Sequence, residues 1–125
     1  MPYYKIVVLE DDPDIMRILL HTLKAAGYVV IPAYGGEDAI KKVQTQKPDL
    51  ILTDLSMPKM SGVEVIDILK QDPETAHIPI VAVTAYVWDG LAQSAGQVGC
   101  DGFIAKPFST KHLLKEVEKY LPPRT

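Results

Sequence analysis

Five times along this chain a short apolar run gives way to a segment with helical periodicity, and this alternation narrows the possible folds sharply. Lys5 to Leu9 (KIVVL) is β-branched and aliphatic and too short for a helix. Asp12-Pro13 then reads as a helix start, with Asp12 as N-cap and Pro13 at the first helical position. Ile15, Ile18, Leu19, Thr22 and Leu23 share the expected inward face, and Gly27 ends the helix. Val29 to Ala33 is the second run, with Pro32 demoting it to an edge strand. Gly35-Gly36 opens a helix to about Gln46, with Ala39, Ile40 and Val43 inward.

Leu50 to Asp54 is the third run; a short helix marked by Val63, Val65, Ile66 and Leu69 follows and ends near Asp72-Pro73. Ile78 to Thr84 reads as the fourth strand, and Leu91 to Val98 as a weaker helical stretch between Gly90 and Gly99. Gly102 to Ala105 is the last strand, and Thr110 to Tyr120 a closing helix with Leu113, Leu114, Val117 and Leu121 inward. Near-continuous apolar strands alternating with helices imply a parallel sheet covered on both faces. Five βα units of this size suit a flavodoxin-like, doubly wound (βα)5 sheet of strand order 2-1-3-4-5. In such sheets the working site lies beyond the carboxyl ends of the strands.

A length of 125 residues suits one domain over 1–125, with about 3–121 as the ordered core and 122–125 as a tail. A net charge of -3 gives no basic footprint for direct nucleic-acid binding. The apolar runs are far shorter than a membrane span, so no membrane insertion is expected. No secretory signal is visible, and Cys100 is the single cysteine, which fits a cytoplasmic, reducing setting. Cys100 itself reads as a small structural residue.

The strand ends are chemically unusual. The first delivers Glu10-Asp11-Asp12, the third Asp54, the fourth Thr84 and the fifth Lys106-Pro107. In the expected order the first and third strands are neighbours, so Glu10, Asp11 and Asp54 converge. Two like charges at ~4 Å repel by roughly 4 kcal/mol at an effective dielectric of ~20. A hard divalent cation with oxygen ligands would relieve that repulsion, and Mg2+ is the usual one beside phosphate.

Taken in order, the acidic pair Glu10-Asp11, Asp54 with Met57-Pro58 and Gly62, Thr84-Ala85, and Lys106-Pro107-Phe108 resemble the receiver domain of two-component response regulators, over essentially the whole chain. Each feature alone is weak; together, at the ends of the right strands, they are specific. The resemblance implies that Asp54 accepts a phosphoryl group from a phosphohistidine of a sensor histidine kinase or histidine phosphotransfer protein. It implies Mg2+ ligation by Asp11, Asp54 and the backbone carbonyl of Ser56, with Glu10 acting through water. Thr84, Ala85 and Lys106 would contact the phosphoryl group, with Thr84 and Phe103 as the switch pair. A cis peptide before Pro107, with the lysine directed inward, is also implied. Tyr86, Trp88, Phe103 and Phe108 are the expected output surface toward a downstream effector.

Plainer readings stand beside these. Asp12 reads as a cap rather than a ligand. Thr84 alone could be an ordinary strand residue, Lys106 a solvated lysine, Phe103 a core aromatic, and Trp88 a side chain folded onto the following helix. His21, His77 and His112 have no partners at metal spacing. Ser61 departs from the acidic residue many relatives carry, while Ser56 and Tyr86 flank the path of a hydrolytic water. Among rival functions, an aspartyl-phosphate phosphatase would need a second acid at Ser56. A nucleotide or flavin binder would need a glycine-rich cradle, and neither GxGxxG nor GxxxxGK[ST] occurs. A pseudo-receiver would have lost an acid or the lysine. The expectation is a phosphoacceptor signalling domain whose only catalysis is on itself.

Overall fold

The computed structural model describes residues 3–55, 62–85 and 99–122. Five parallel strands, β1 (Lys5–Leu9), β2 (Val29–Ala33), β3 (Leu50–Thr53), β4 (Ile80–Thr84) and β5 (Gly102–Ala105), form one sheet of order β2-β1-β3-β4-β5. Four helices are seen among the described residues: α1 (Pro13–Ala25), α2 (Gly36–Gln46), α3 (Gly62–Gln71) and α4 (Thr110–Tyr120). The helix expected over 91–98 lies outside the described residues. The expected flavodoxin-like topology is therefore present, with β2 at the edge where Pro32 placed it.

The strands alternate strictly, as a two-faced parallel sheet requires. On one face Ile6, Val8, Leu50 and Leu52 pack with Met16, Leu19 and Leu23 of α1 and Leu113 and Val117 of α4. On the other, Val7, Leu9 and Ile51 pack with Ala39 and Val43 of α2 and Val65, Ile66 and Leu69 of α3. Each such aliphatic side chain contributes roughly 1.5–3 kcal/mol of transfer free energy, and this burial holds the strand ends in register.

One inward assignment is corrected. Ile18 is 49% exposed, and Met16 takes the buried place instead. At about 100° per residue, Met16, Leu19, Thr22 and Leu23 form one arc, and Ile18 falls roughly 100° from its centre. Strand β4 begins at Ile80 rather than Ile78. The Ile78 N–H is turned to Thr75 O at 3.0 Å, and Pro79 has no N–H to offer the ladder.

Candidate functional site

The register of the three central strands places the site. Leu9 lies beside Thr53 and beside Ala33, so the next residues, Glu10 and Asp54, emerge together at the carboxyl edge. Their backbones are anchored: Asp54 N–H donates to Leu9 O at 3.0 Å, and Glu10 N–H to Ala33 O at 3.2 Å. Glu10 and Asp54 are buried and Asp11 is exposed, and one carboxylate oxygen from each lies within 4.8 Å of the others. The expected convergence of the three acids is present.

Lys106 follows β5, and its N–H donates to Thr84 O at 2.9 Å, which continues the ladder one residue past the strands. Its Nζ lies 2.5 Å from Glu10 Oε1 and 3.0 Å from Asp54 Oδ2. The Lys106–Pro107 peptide is cis, as the resemblance implied. Glu10 Oε2 accepts from the Asp12 N–H at 3.1 Å, so both Glu10 oxygens already have protein donors. Asp12 Oδ1 accepts from Asp14 N–H and Ile15 N–H, which is the cap geometry the sequence suggested.

Burial pushes the Glu10 carboxyl above its ordinary range, and Lys106 and the Asp12 N–H pull it only part of the way back. Burial also disfavours the Lys106 ammonium, but hydrogen bonds to Glu10 and Asp54 outweigh it and hold the lysine above its ordinary value. The ammonium therefore stays charged at neutral pH, bridging two buried carboxylates.

Thr84 is fully buried at the end of β4, while Ala85 beside it is exposed. Phe103 is half-buried in β5, opposite Ala82. Phe108 is half-buried against the α1 and α4 side of the core, and it lines an apolar groove with Ile15, Ile18, Ala85, Lys106 and Pro107. Ser56, Met57, Pro58, Ser61, Tyr86, Val87 and Trp88 lie outside the described residues. Sequence reasoning missed Thr53, which is buried and donates its hydroxyl to the Asp54 carbonyl at 3.0 Å. A polar residue closing the run LILT, immediately before Asp54, was the available signal.

A cluster of carboxylates with no nitrogen or sulfur ligand suits a hard divalent cation, and a cation held beside it suits chemistry on an anionic group. Among known families, the response regulator receiver domain profile matches residues 6–118. The chain belongs to that family. This receiver is 35% identical over 116 residues to the polar-differentiation response regulator DivK of Brucella anthropi, covering 93% of this chain and 94% of DivK. The DivK of Brucella ovis matches to the same extent. Among solved structures, the receiver resembles the chemotaxis protein CheY4 of Vibrio cholerae, with a TM-score of 0.91 and 31% identity over 96% of this chain and all of CheY4. A putative response regulator from Chloroflexus aurantiacus gives a TM-score of 0.90 at 26% identity, covering 95% of this chain and 98% of that one. The receiver is thus a phosphoacceptor domain of two-component signalling. No helix among the described residues is long and apolar enough to cross a membrane.

Proposed function

We propose that Asp54 is the phosphoacceptor and that this receiver takes its phosphoryl group from a phosphohistidine of a histidine kinase or histidine phosphotransfer protein. One Asp54 carboxylate oxygen attacks phosphorus, the P–N bond breaks, and the imidazole leaves with a proton, producing an acyl phosphate. The observation that carries this reading is the convergence of Asp54, Glu10, Asp11 and Lys106 from three strand ends, with Lys106 Nζ touching both buried acids.

Asp11, Asp54 and the Ser56 backbone carbonyl would hold Mg2+, with Glu10 acting through water, and the oxygen-only donor set fits that ion. The satisfied state of both Glu10 oxygens supports its indirect role. When bound, Mg2+ supplies positive charge that offsets the transferring phosphoryl oxygens. Lys106 would supply a second such charge beside Asp54 Oδ2, and Thr84 and Ala85 would provide further contacts to the phosphoryl group. Thr84 and Phe103 form the switch, and Tyr86, Trp88, Phe103 and Phe108 the surface read by a downstream effector protein, with no direct contact to nucleic acid. The receiver's only chemistry is on its own aspartate, through uptake and slow hydrolysis.

Incubation with a small phosphodonor and Mg2+, followed by intact mass measurement, tests the assignment. The parent should gain one base-labile phosphoryl group, and Asp54→Asn should gain none while retaining its fold. Equal labelling of the two proteins would show that Asp54 is not the acceptor.

A further inference from the structure

The peptide on the N-terminal side of Asp54 is held by its N–H bond to Leu9 O at 3.0 Å. The peptide on its C-terminal side is held by two other residues. Thr53 Oγ1 donates to the Asp54 carbonyl oxygen at 3.0 Å from a side chain that is 1% exposed. Gly62, the first residue of α3, lies directly against the same carbonyl. A Cβ at Gly62 would collide with the Asp54 oxygen and would sit 2.8 Å from both its carbonyl carbon and Leu55 Cα. The obstructing atoms are backbone, so neither side can yield by a rotamer change. Gly62 N–H also donates to Leu55 O at 3.2 Å, tying the start of α3 to the residue after the acceptor. The helix is not free to retreat, because Val65, Ile66 and Leu69 are completely buried in the core beneath.

We infer that Thr53 and Gly62 are positioning residues for the acceptor. Fixing one flanking peptide sets φ of Asp54 and fixing the other sets ψ, which leaves the carboxylate only the staggered χ1 rotamers and rotation about χ2. The Lys106 contact at 3.0 Å then selects among them. Reaction rates are sensitive to this: a displacement of ~1 Å at a reacting group costs roughly 100-fold. Asp54 is itself a proposed metal ligand, so the same clamp bears on Mg2+ binding as well.

The inference rests on Asp54 being the acceptor, and the test separates the two. Thr53→Val removes the donor at nearly constant volume, Thr53→Ser keeps the donor and loses a methyl, and Gly62→Ala adds the colliding carbon. For each, the uptake rate at saturating Mg2+, the Mg2+ affinity by calorimetry on unphosphorylated protein, and the melting temperature are measured. Thr53→Val should slow uptake about tenfold and Gly62→Ala about 100-fold with weakened Mg2+ binding, the larger figure matching a displacement of ~1 Å. Thr53→Ser should retain the parent rate although it melts lower than the parent. Parent-like uptake by Thr53→Val, or rates that follow melting temperature across the set with Ser slower than Val, would overturn the positioning role. If Gly62→Ala does not fold, the Val and Ser pair decides. If the parent takes up no phosphoryl group at Asp54, the functional reading has failed, and unchanged Mg2+ affinity in Gly62→Ala would then count against the clamp separately.

Discussion

At Lys106, one ammonium bridges two carboxylates that have almost no solvent: the side-chain exposures are 11% for Lys106, 1% for Glu10 and 10% for Asp54. Removing one member of a buried ion pair leaves an uncompensated charge, at a cost of roughly 3–5 kcal/mol. Lys106→Ala is therefore expected to destabilise metal-free protein by about that amount, measured by urea unfolding in chelator. A change no larger than that of an exposed control such as Lys111→Ala would remove the basis for this pairing. Cys100 shows the opposite consequence of burial. Desolvation first, and then the Asp101 charge, push its thiol up to about 11. The thiolate is the nucleophile, so at pH 8 alkylation of native protein should run about 100-fold slower than in denaturant, where the thiol titrates near its ordinary value of 9.0. Because the folded-state value is the higher one, Cys100 contributes stability below pH 9.0 that is lost as pH rises through about 11. Cys100→Ser should flatten that alkaline limb of the stability curve, and native alkylation as fast as denatured would contradict the burial.

At the scale of elements, local chemistry was legible and phase was not. The start of α1 could be read because its cap is self-contained: Asp12 and Pro13 act on their immediate neighbours. Asp12→Ala should therefore cost about 1 kcal/mol and leave Mg2+ affinity unchanged. A fall in affinity beyond that of a distant surface control would make Asp12 a ligand instead. The parallel sheet was legible for a related reason, since doubly apolar runs occur only where both faces are covered. The inward arc of α1 depends on how the helix is rolled against β1 and α4. That tertiary choice put Met16 inside and Ile18 out. Likewise, Ile78 is apolar and buried, yet its N–H serves the preceding turn, a distinction hydrophobicity does not encode. Within the site, the three acids were visible because they stand at the ends of adjacent strands. The Glu10–Lys106 contact spans 96 positions and had no local signature, whereas the Thr53 hydroxyl bond reaches only the next residue and was signalled by a polar residue closing an apolar run.

At the scale of the whole molecule, the candidate metal site exists only when the sheet does. Its carboxylates come from the ends of β1 and β3, more than forty positions apart, and are brought together by the pairing of Leu9 with Thr53. An unfolded chain offers no such cluster, so Mg2+ should bind the folded state alone and stabilise it by linkage. At a free concentration ~100 times the dissociation constant the gain is about 2.7 kcal/mol. For a domain of this size that corresponds to a rise in Tm of roughly 10 °C. Asp11→Ala should change both ends of this linkage. Without metal it should melt slightly higher than the parent, because one charge leaves a cluster of three. The gain should stay below about 1 kcal/mol, since Asp11 is exposed and Lys106 already offsets the cluster. With Mg2+ it should lose most of the rise, so the order of the two melting temperatures inverts. Melting curves of parent and variant, in chelator and in Mg2+, with potassium chloride at matched ionic strength to remove screening, measure this directly. A parent that responds equally to Mg2+ and to potassium chloride, or an Asp11→Ala variant that keeps the full Mg2+ rise, would remove Asp11 from the metal site.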